Sequence, residues 1–520
     1  MPLVNDHSLP EELYSADAVR AIDRYVIDQQ GVDGFELMQA AAAAAFRRLV
    51  KICPEPSAIL VLCGAGNNGG DGYLIAANAK RHGIHVHCIA VAPTEKLTGD
   101  ARKAWQKAQA DGVEVQLPGS DGSGLPFGEV DLIVDAMLGT GATGAPREPF
   151  AGIIERCNQV ATPVMAIDVP SGLDSTVGAA AGIVVRADVT VTFIALKAGL
   201  FTGQGPEACG QVVFESLDTE EWVVESGQLP LARRLDWASL SASVPRRPVN
   251  AHKGRFGHVL VLAGDYGFGG AGILAAEAAA RTGAGLVTLG TRAGHVGPAL
   301  ARCPSIMAHA VDHGSELQPL IDAASVIVCG PGLGKGAWGQ QMLQQVVASG
   351  KARVLDADAL NLLAARAHSR AENHILTPHP GEAARLLGCT VPEVEADRIK
   401  AAVSLQKRQG GIVLLKGAGT IIADGQRLPS IVSGSNPGMA TAGMGDVLAG
   451  IIGSLLGQFD NAALATAMGA VLHLEAAGVA AVSKGFMGLL PTDVIDSLPA
   501  ILAAAEHGDR VDAGIRQAEV

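Results

Sequence analysis

The sequence predicts an α/β protein made of two successive open, doubly wound sheets, each largely parallel and carrying helices on both faces. Short apolar runs alternate with helical segments along most of the 520 residues, the pattern of parallel strands joined by crossover helices. Those runs end repeatedly in glycine or an acid. The alternation stops once, between Ser216 and Gly254, and then restarts. A chain of this length exceeds what one hydrophobic core serves, so more than one domain is expected. The composition, 48% hydrophobic with 65 glycines and 4% aromatics, suits helices packed on sheets through small residues.

Taken in order, Ser15 to Lys51 reads as two helices that come before any strand. Ala18, Ile22, Tyr25 and Val26 recur at helical spacing, and an alanine-rich run follows Gly34. A strand is expected over Ala58 to Cys63 and a helix from Gly70. Ile84 to Val91, a helix near Asp100 to Ala110, Asp131 to Val134, Val164 to Ile167 and Val189 to Ile194 continue the first series. The acids and prolines between Ser216 and Gly254 put the junction near residue 230, giving domains of 1–228 and 229–520. The second series runs through 257–264, Leu286 to Leu289, Val326 to Cys329, Val354 to Asp356 and Ile412 to Leu415. Ligands of open α/β sheets lie beyond the carboxyl ends of strands, so the strand-end clusters are where function is sought.

Several function classes are disfavoured. A net charge of −13 repels a phosphate backbone, and no basic run with interleaved aromatics offers a nucleic-acid footprint. The eight cysteines have no C-x-x-C pair and read as reduced, mostly buried thiols. The N-terminal stretch lacks a basic and apolar leader, and no run of about 20 uninterrupted apolar residues marks a membrane span. A soluble cytoplasmic protein without nucleic-acid or membrane partners is expected. His82, His85 and His87 beside Cys88 suggest a metal, but His85 and His87 share one strand face while Cys88 takes the other, the pattern of ordinary surface histidines. Arg233 to Arg247 reads as a solvated connector.

In the first half, CGAGNNGGDGYLIAANAK carries G-x-G-x-x-G at Gly64, Gly66 and Gly69 between a strand and a helix, a Rossmann-like arrangement. The next strand ends Cys88-Ile89-Ala90-Val91-Ala92-Pro93 without the acid that would hold a ribose, against an ordinary dinucleotide-dependent dehydrogenase. What remains is a turn whose amides can meet an anion, with Asn67, Asn68 and Asp71 beside it. DAMLGTG from Asp135 and DVPSG from Asp168 also follow apolar strands, so their carboxylates converge on one sheet edge with Asp71, as candidates for acid–base work and cation ligation. A lone strand-end aspartate is more often a helix cap; three in glycine-rich settings favour a site.

These segments, GAGNNGGDG, DAMLGTG and DVPSGLD, resemble the signatures of the NAD(P)HX epimerase domain family over roughly residues 10 to 225. The resemblance implies that Asn67, Asn68, Gly69, Gly70 and Asp71, the loop Gly139, Thr140, Gly141, Ala142, Thr143, Gly144 and Ala145, and Asp168 hold a hydrated nicotinamide dinucleotide. Asn68, Asp135 and Ser171 would surround a potassium ion, and Asp168 and Asp71 would be catalytic, Asp168 being the first choice for proton transfer at C6. Some relatives of this domain are non-catalytic scaffolds; Asp71 and Asp168 argue for an enzyme.

In the second half, GDYGFGGAG from Gly264 and GPGLG from Gly330 are glycine-rich strand-to-helix crossings. TPHPGE at 377 to 382, LLKGAGT at 414 to 420 and NPGMATAGMGD from Asn436 resemble the ribokinase-like fold, and over about residues 250 to 505 the ADP-dependent NAD(P)HX dehydratase in particular. Asp446 opens an apolar helix behind Gly443-Met444-Gly445, where helix amides can stabilise a transferring phosphoryl group and a general base is needed; the alternative is a helix cap. By the resemblance Ala271, Gly332, His379 and Asp446 contact the hydrated nucleotide. Lys416, Gly417, Ala418, Gly419, Thr420 and Gly445 would bind the adenine nucleotide, ADP with Mg2+. Two rivals stand beside a bifunctional repair enzyme acting on NADHX and NADPHX: a vitamin-precursor kinase with a regulatory N-terminal domain, and a partner-binding scaffold. A homo-oligomer is expected.

Overall fold

The computed structural model describes residues 9–118, 124–365 and 370–518; residues 1–8 of the N-terminal stretch read above lie outside them. The chain divides into two compact units, one closing at Arg234 and the other opening at Leu235.

In the first unit, strands Ala58–Cys63, His85–Ala90, Leu132–Ala136, Val164–Ile167, Val189–Phe193 and Gln211–Glu215, with short Val115–Gln116, form a seven-stranded sheet. Every pairing is parallel. Its order runs 115–116, 85–90, 58–63, 132–136, 164–167, 189–193, 211–215, so Ala58–Cys63 lies between strands that follow it in opposite directions. That reversal leaves a crevice at the carboxyl end of the strand feeding the glycine-rich turn. Helices Gly34–Ile52, Asn67–Arg81 and Gly99–Ala110 pack one face through alanines such as Ala44, Ala76 and Ala104, all without exposed surface. Helix Phe150–Gln159 covers the other face through Ile153 and Ile154.

Three expectations are corrected here. A strand, Glu12–Tyr14, precedes the first helix: it pairs antiparallel with Ala232 and Arg233 and parallel with Leu196–Lys197. Three residues are too few to display alternation, so long-range pairing decides the conformation. The stretch from Arg233 to Arg247 is also not a plain solvated connector. Ala232–Leu235 is a strand, Trp237–Leu240 a helix closed by an Asp236–Ser239 capping box, and Arg234 is buried with its guanidinium on the carbonyls of Leu9 and Pro10. The carbonyl partners neutralise no charge but satisfy its donors. Helix Asn67–Arg81 begins before Gly70, because Asn67, Asn68 and Gly69, poor helix formers by propensity, supply its first turn.

In the second unit the strand order is Met307–Ala310, Leu286–Thr291, His258–Leu262, Val326–Cys329, Ala352–Leu355, His374–Leu376 and Ile412–Leu415, all parallel, followed by antiparallel Ile421–Ala423 and Ser430–Val432. The order again reverses at one strand, His258–Leu262, which leads into GDYGFGG. Helices Gly269–Arg281, Met444–Leu456 and Ala462–Lys484 pack against this sheet. Ala462–Lys484, interrupted by His473 and Glu475, is long and apolar enough by length and mean hydropathy to cross a membrane, yet 67% of its apolar window is buried. Leu472, Ala476 and Ala477 are wholly enclosed, which makes it a core helix. All eight cysteines are free, and all but Cys53 and Cys389 are buried.

Leu62 is wholly buried in the central strand of the first sheet. Leu62→Ala is expected to destabilise the first unit by ~2–5 kcal/mol. In a urea titration, the unfolding transition of the first unit should move to lower denaturant than in the parent, while that of the second unit keeps its midpoint.

Candidate functional site

The first site gathers at the carboxyl edge of the seven-stranded sheet. A Cβ on Gly69 would collide with the carbonyl of Gly64, so the tight turn from strand into helix Asn67–Arg81 needs glycine there. The turn carries Asn68 against the following strand end, where its Nδ2 donates to the Leu138 carbonyl at 2.9 Å. Gly139 abuts the Asn68 side chain, and the remainder of the loop, Gly141 to Ala145, is exposed. Arg20 donates to the Thr140 carbonyl and ties helix Ala16–Asp28 to that loop.

Asp135 and Ser171 are wholly buried and bonded to each other: Ser171 Oγ donates to Asp135 Oδ1 at 2.6 Å and Ser171 N to Oδ2 at 2.8 Å. Burial pushes the Asp135 carboxyl up to about 6, against the lowering effect of the bonds from Ser171 and Met137. The Leu138 amide donates to Ser171 Oγ at 2.9 Å. Asn68 Oδ1 is buried with no partner among the described residues. The expected cation ligands therefore stand together, and one hard oxygen among them lacks a donor, which fits a monovalent cation.

Asp168 follows strand Val164–Ile167 in a left-handed conformation, φ 65°, rare for a non-glycine residue and often found where function sets the backbone. Its Oδ1 accepts from Lys197 Nζ and, at 3.3 Å, from Thr192 Oγ1. Lys197 is buried and also donates to Thr192 Oγ1 at 2.9 Å and to the Phe193 carbonyl at 3.1 Å, so all three ammonium protons are engaged. Asp71 lies inside helix Asn67–Arg81. Burial, then the charges of Asp168 and Asp23, hold its carboxyl well above the usual range, while Lys197 opposes them. Lys197 and Asp23 were missed by sequence reasoning: Asp23 looked like the polar face of an ordinary amphipathic helix, and nothing local marks a lysine that will be buried.

The second site is built around another lysine. Lys416, just past strand Ile412–Leu415, donates from Nζ to Asp356 Oδ1 at 2.6 Å; Asp356 is buried at the end of strand Ala352–Leu355. A Cβ on Gly445 would stand 3.2 Å from Lys416 Nζ and 3.4 Å from Asp356 Oδ2, so the pair lies directly beside the turn that opens helix Met444–Leu456. Burial and the charge of Asp356 push Asp446 up to about 7, with Lys416 opposing. Glu382 is likewise held near 7 by burial, Lys416 lowering and Asp356 raising it. His379 caps helix Pro380–Leu387: its amide donates to Glu382 Oε2 at 2.9 Å, and its Nδ1 accepts from the Gly381 amide at 3.0 Å. Burial, Lys416 and Arg385 lower its pKa. That bond to Nδ1 makes the neutral ring an Nε2–H donor. Gly332 and Ala271 come together, a Cβ on Gly332 lying 3.2 Å from that of Ala271. In the segment from Lys416 to Thr420, Gly417 and Ala418 are exposed, while Thr420 Oγ1 turns back to the Gly417 carbonyl at 3.0 Å. Asp356 and Glu382, absent from the sequence candidates, were signalled by the acid-ended strand and by TPHPGE.

Comparison with known proteins bears on both sites. Residues 34–199 match the family described as YjeF-related protein N-terminus, and residues 259–500 match NAD(P)H-hydrate dehydratase. The bifunctional NAD(P)H-hydrate repair enzyme Nnr of Coxiella burnetii is 42% identical over 491 residues, 94% of this chain and 98% of that protein. Its namesake in Escherichia coli is 44% identical over 503 residues, 96% and 95% of the two chains. A bifunctional NAD(P)H-hydrate repair enzyme of Leishmania braziliensis is 39% identical over 535 residues, 96% and 94%. Among solved structures, a ribokinase-like superfamily protein of Enterococcus faecalis is 31% identical with a TM-score of 0.49, covering 52% of this chain and 95% of that one. With both halves matched and nearly the whole length aligned, the chain belongs to the bifunctional NAD(P)H-hydrate repair enzymes.

Proposed function

We propose that the first unit interconverts the R and S forms of NAD(P)HX and that the second dehydrates the S form to NAD(P)H using ADP. The observation that carries this reading is the alignment of one chain, through both halves, with bifunctional repair enzymes over nearly their full length. A freestanding kinase or a scaffold would need only one half.

In the first unit, Asn67 to Asp71, Gly139 to Ala145 and Asp168 hold the hydrated dinucleotide. Its C6 carries a hydroxyl and adjoins the ring nitrogen, whose lone pair can expel that hydroxyl. Asp71, its carboxyl held well above the usual range by burial, gives the proton with which the hydroxyl leaves as water. Water then adds to the opposite face, and Asp168, paired with Lys197, takes its surplus proton. A proton donor and a proton acceptor are what inversion at one carbon requires. Asn68, Asp135 and Ser171 would hold potassium, which would supply fixed positive charge beside the anionic substrate.

In the second unit, Ala271, Gly332 and His379 hold the hydrated nucleotide, His379 as a hydrogen-bond donor from Nε2. The segment from Lys416 to Thr420 with Gly445 takes ADP. Asp446 removes the proton from the C6 hydroxyl as its oxygen attacks the terminal phosphorus of ADP, and helix amides behind Gly443 steady the charge. Phosphate is then a good leaving group: it departs with the C6–O electrons while a C5 proton is lost, restoring the dihydropyridine. Magnesium brought by the nucleotide would neutralise its phosphates, and the carboxylate of Glu382 is an oxygen donor of the kind it takes.

Asp168→Asn should dehydrate pure S epimer at the parental rate yet lose R processing by about 10²–10⁴-fold. The R:S ratio over time checks this, and R consumption well above the spontaneous rate would remove Asp168 from the mechanism. Asp446→Asn should lose dehydration over the same range, about 10²–10⁴-fold, with ADP affinity kept; loss of ADP binding would move Asp446 to the nucleotide. Because Asp446 must be ionised to act and its carboxyl is pushed up to about 7, turnover of S epimer should rise with pH below that value and level above it. A flat profile from acid to neutral pH would take the base role away from it. Substrate affinity of the first unit should fall when potassium is replaced by a bulky organic cation at equal ionic strength; equal affinities would leave the ion without a role.

A further inference from the structure

In the second unit the crossing from Gly264 to Gly270 carries two large aromatic side chains among its glycines, and both are exposed, Tyr266 by 67% and Phe268 by 58%. Single exposed apolar groups are ordinary on a protein surface. These two stand at the carboxyl end of the strand where the sheet order reverses, and the backbone beneath them is pinned. The Gly264 and Asp265 amides donate to the carbonyls of Pro331 and Gly332 at 3.1 and 2.7 Å, and the Phe268 amide donates to the Asp265 carbonyl at 2.9 Å. Arg292 donates from Nε to Asp265 Oδ1 at 2.9 Å, and its guanidinium carbon lies 4.8 Å from the centre of the Tyr266 ring and 4.5 Å from that of Trp338. Tyr266 thus has a cation against its ring. Phe268 has neither a ring nor a cation partner among the described residues.

Gly332 fixes what Phe268 stands beside. Gly332 has φ 55°, and a Cβ there would lie 2.7 Å from Phe268 Cβ, 2.8 Å from the Phe268 carbonyl oxygen and 3.2 Å from Ala271 Cβ. Phe268 is therefore the large flat neighbour of Ala271 and Gly332, the two small residues assigned above to the hydrated nucleotide. Further along helix Gly269–Arg281, Leu274 reaches the turn that precedes Asp446, its Cδ1 2.9 Å from a Cβ on Gly443. Phe268 lies ~9 Å back from Leu274 along the helix axis, at about 1.5 Å per residue. The ring that carries C6 has to meet Asp446 beside that turn, so a group lying on Phe268 belongs to another part of the dinucleotide. The hydrated ring is also puckered by its saturated C4, C5 and C6, whereas adenine is flat and offers a full π-face.

We propose that Phe268 is the platform on which the adenine of the hydrated dinucleotide stacks in the second unit, a hold on the half of the substrate that does not react. This rests on the reading of that unit as the dehydratase. ADP also carries an adenine, but the segment assigned to it follows strand Ile412–Leu415. Strands Val326–Cys329, Ala352–Leu355 and His374–Leu376 lie between that strand and His258–Leu262, which feeds the crossing. At about 4.8 Å per strand the two are ~19 Å apart across the sheet, so each nucleotide has its own side of the site. Because the crossing is already pinned, little ordering is required of it when the substrate arrives. The contact is the same before and during reaction, so its loss belongs in KM and not in kcat.

The test compares two substrates on the full chain with saturating ADP: S-NADHX, and the S form of the hydrated reduced nicotinamide mononucleotide, which keeps the reacting ring, its ribose and one phosphate but has no adenine. Phe268→Ala and Phe268→Leu should each raise the KM for S-NADHX about tenfold, which corresponds to ~1.4 kcal/mol and lies within the range for stacking one base on an aromatic ring. Their kcat and their KM for ADP should stay within about twofold of the parent. Phe268→Trp, which restores a flat ring, should keep the parental KM. The mononucleotide should bind the parent and all three variants alike, read as its KM or, where it turns over slowly, as its inhibition constant against S-NADHX. A parental KM for S-NADHX in the Ala or the Leu variant overturns the platform. So does an equal loss for both substrates, which would put the ring on the reacting half or show a displaced loop, and so does a rise confined to the KM for ADP. Failure of the parent chain to dehydrate S-NADHX with ADP would instead sink the reading of the second unit, whatever Phe268 does.

Discussion

Each half of the chain sets a lysine ammonium, buried for Lys197 and half-buried for Lys416, at the carboxyl edge of its sheet and surrounds it with more carboxyl groups than one charge can neutralise. Lys197 serves Asp168 directly and acts at longer range on Asp71 and Asp23. Lys416 serves Asp356 directly and Glu382 and Asp446 at longer range. An unpaired buried ion costs several kcal/mol, so in each half the ammonium and its first carboxylate offset the cost of enclosing either alone. Burial raises the remaining carboxyls, Asp71 well above the usual range, Asp23 to about 6, and Glu382 and Asp446 to about 7. One ion pair thus stands, in each site, beside carboxyls of raised proton affinity.

The sheets determine where these clusters form. In both units the strand order reverses at the first central strand, and the glycine-rich turn leaves that strand into the crevice so created. Strands one or two places from it end in the acids, Asp135 and Asp168 in one unit and Asp356 in the other, so parallel pairing alone gathers carboxylates that are far apart in sequence. Each lysine arrives differently. Lys416 comes directly off a sheet strand, whereas Lys197 sits in the short ribbon that pairs Leu196–Lys197 with Leu13–Tyr14.

Most of the sheets was legible because strands such as Val164–Ile167, Val326–Cys329 and Ile412–Leu415 are continuous apolar runs with polar ends, and both of their faces are covered. Glu12–Tyr14 and Ala232–Leu235 were not, since pairing across more than 200 residues, and not local pattern, makes them strands. In the sites, Asn68, Asp135 and Ser171 could be named from their motifs; Ser171 bonds Asp135, and Asn68 and Ser171 both bond the backbone of Leu138. Asp23 and Lys197 could not, because their importance lies in what surrounds them after folding. A lysine on an apolar stretch reads as a strand end, and only the closed fold shows its ammonium sealed from water.

Helix Ala462–Lys484 has a meaning for the chain before it is folded. Outside the native core it is a segment that cellular insertion machinery would weigh as a membrane span, with only His473 and Glu475 as strongly polar interruptions along most of its length. Its place in the sequence limits that exposure. Every strand of the second sheet, and helix Met444–Leu456 on which it packs, precede it. During synthesis it therefore leaves the ribosome after the sheet and the helix Met444–Leu456, though before its other partner Pro491–Ala518, so an apolar surface already made competes with the membrane and with other nascent chains for the same side chains. Moving this helix earlier by circular permutation would keep every native contact and remove that order of arrival.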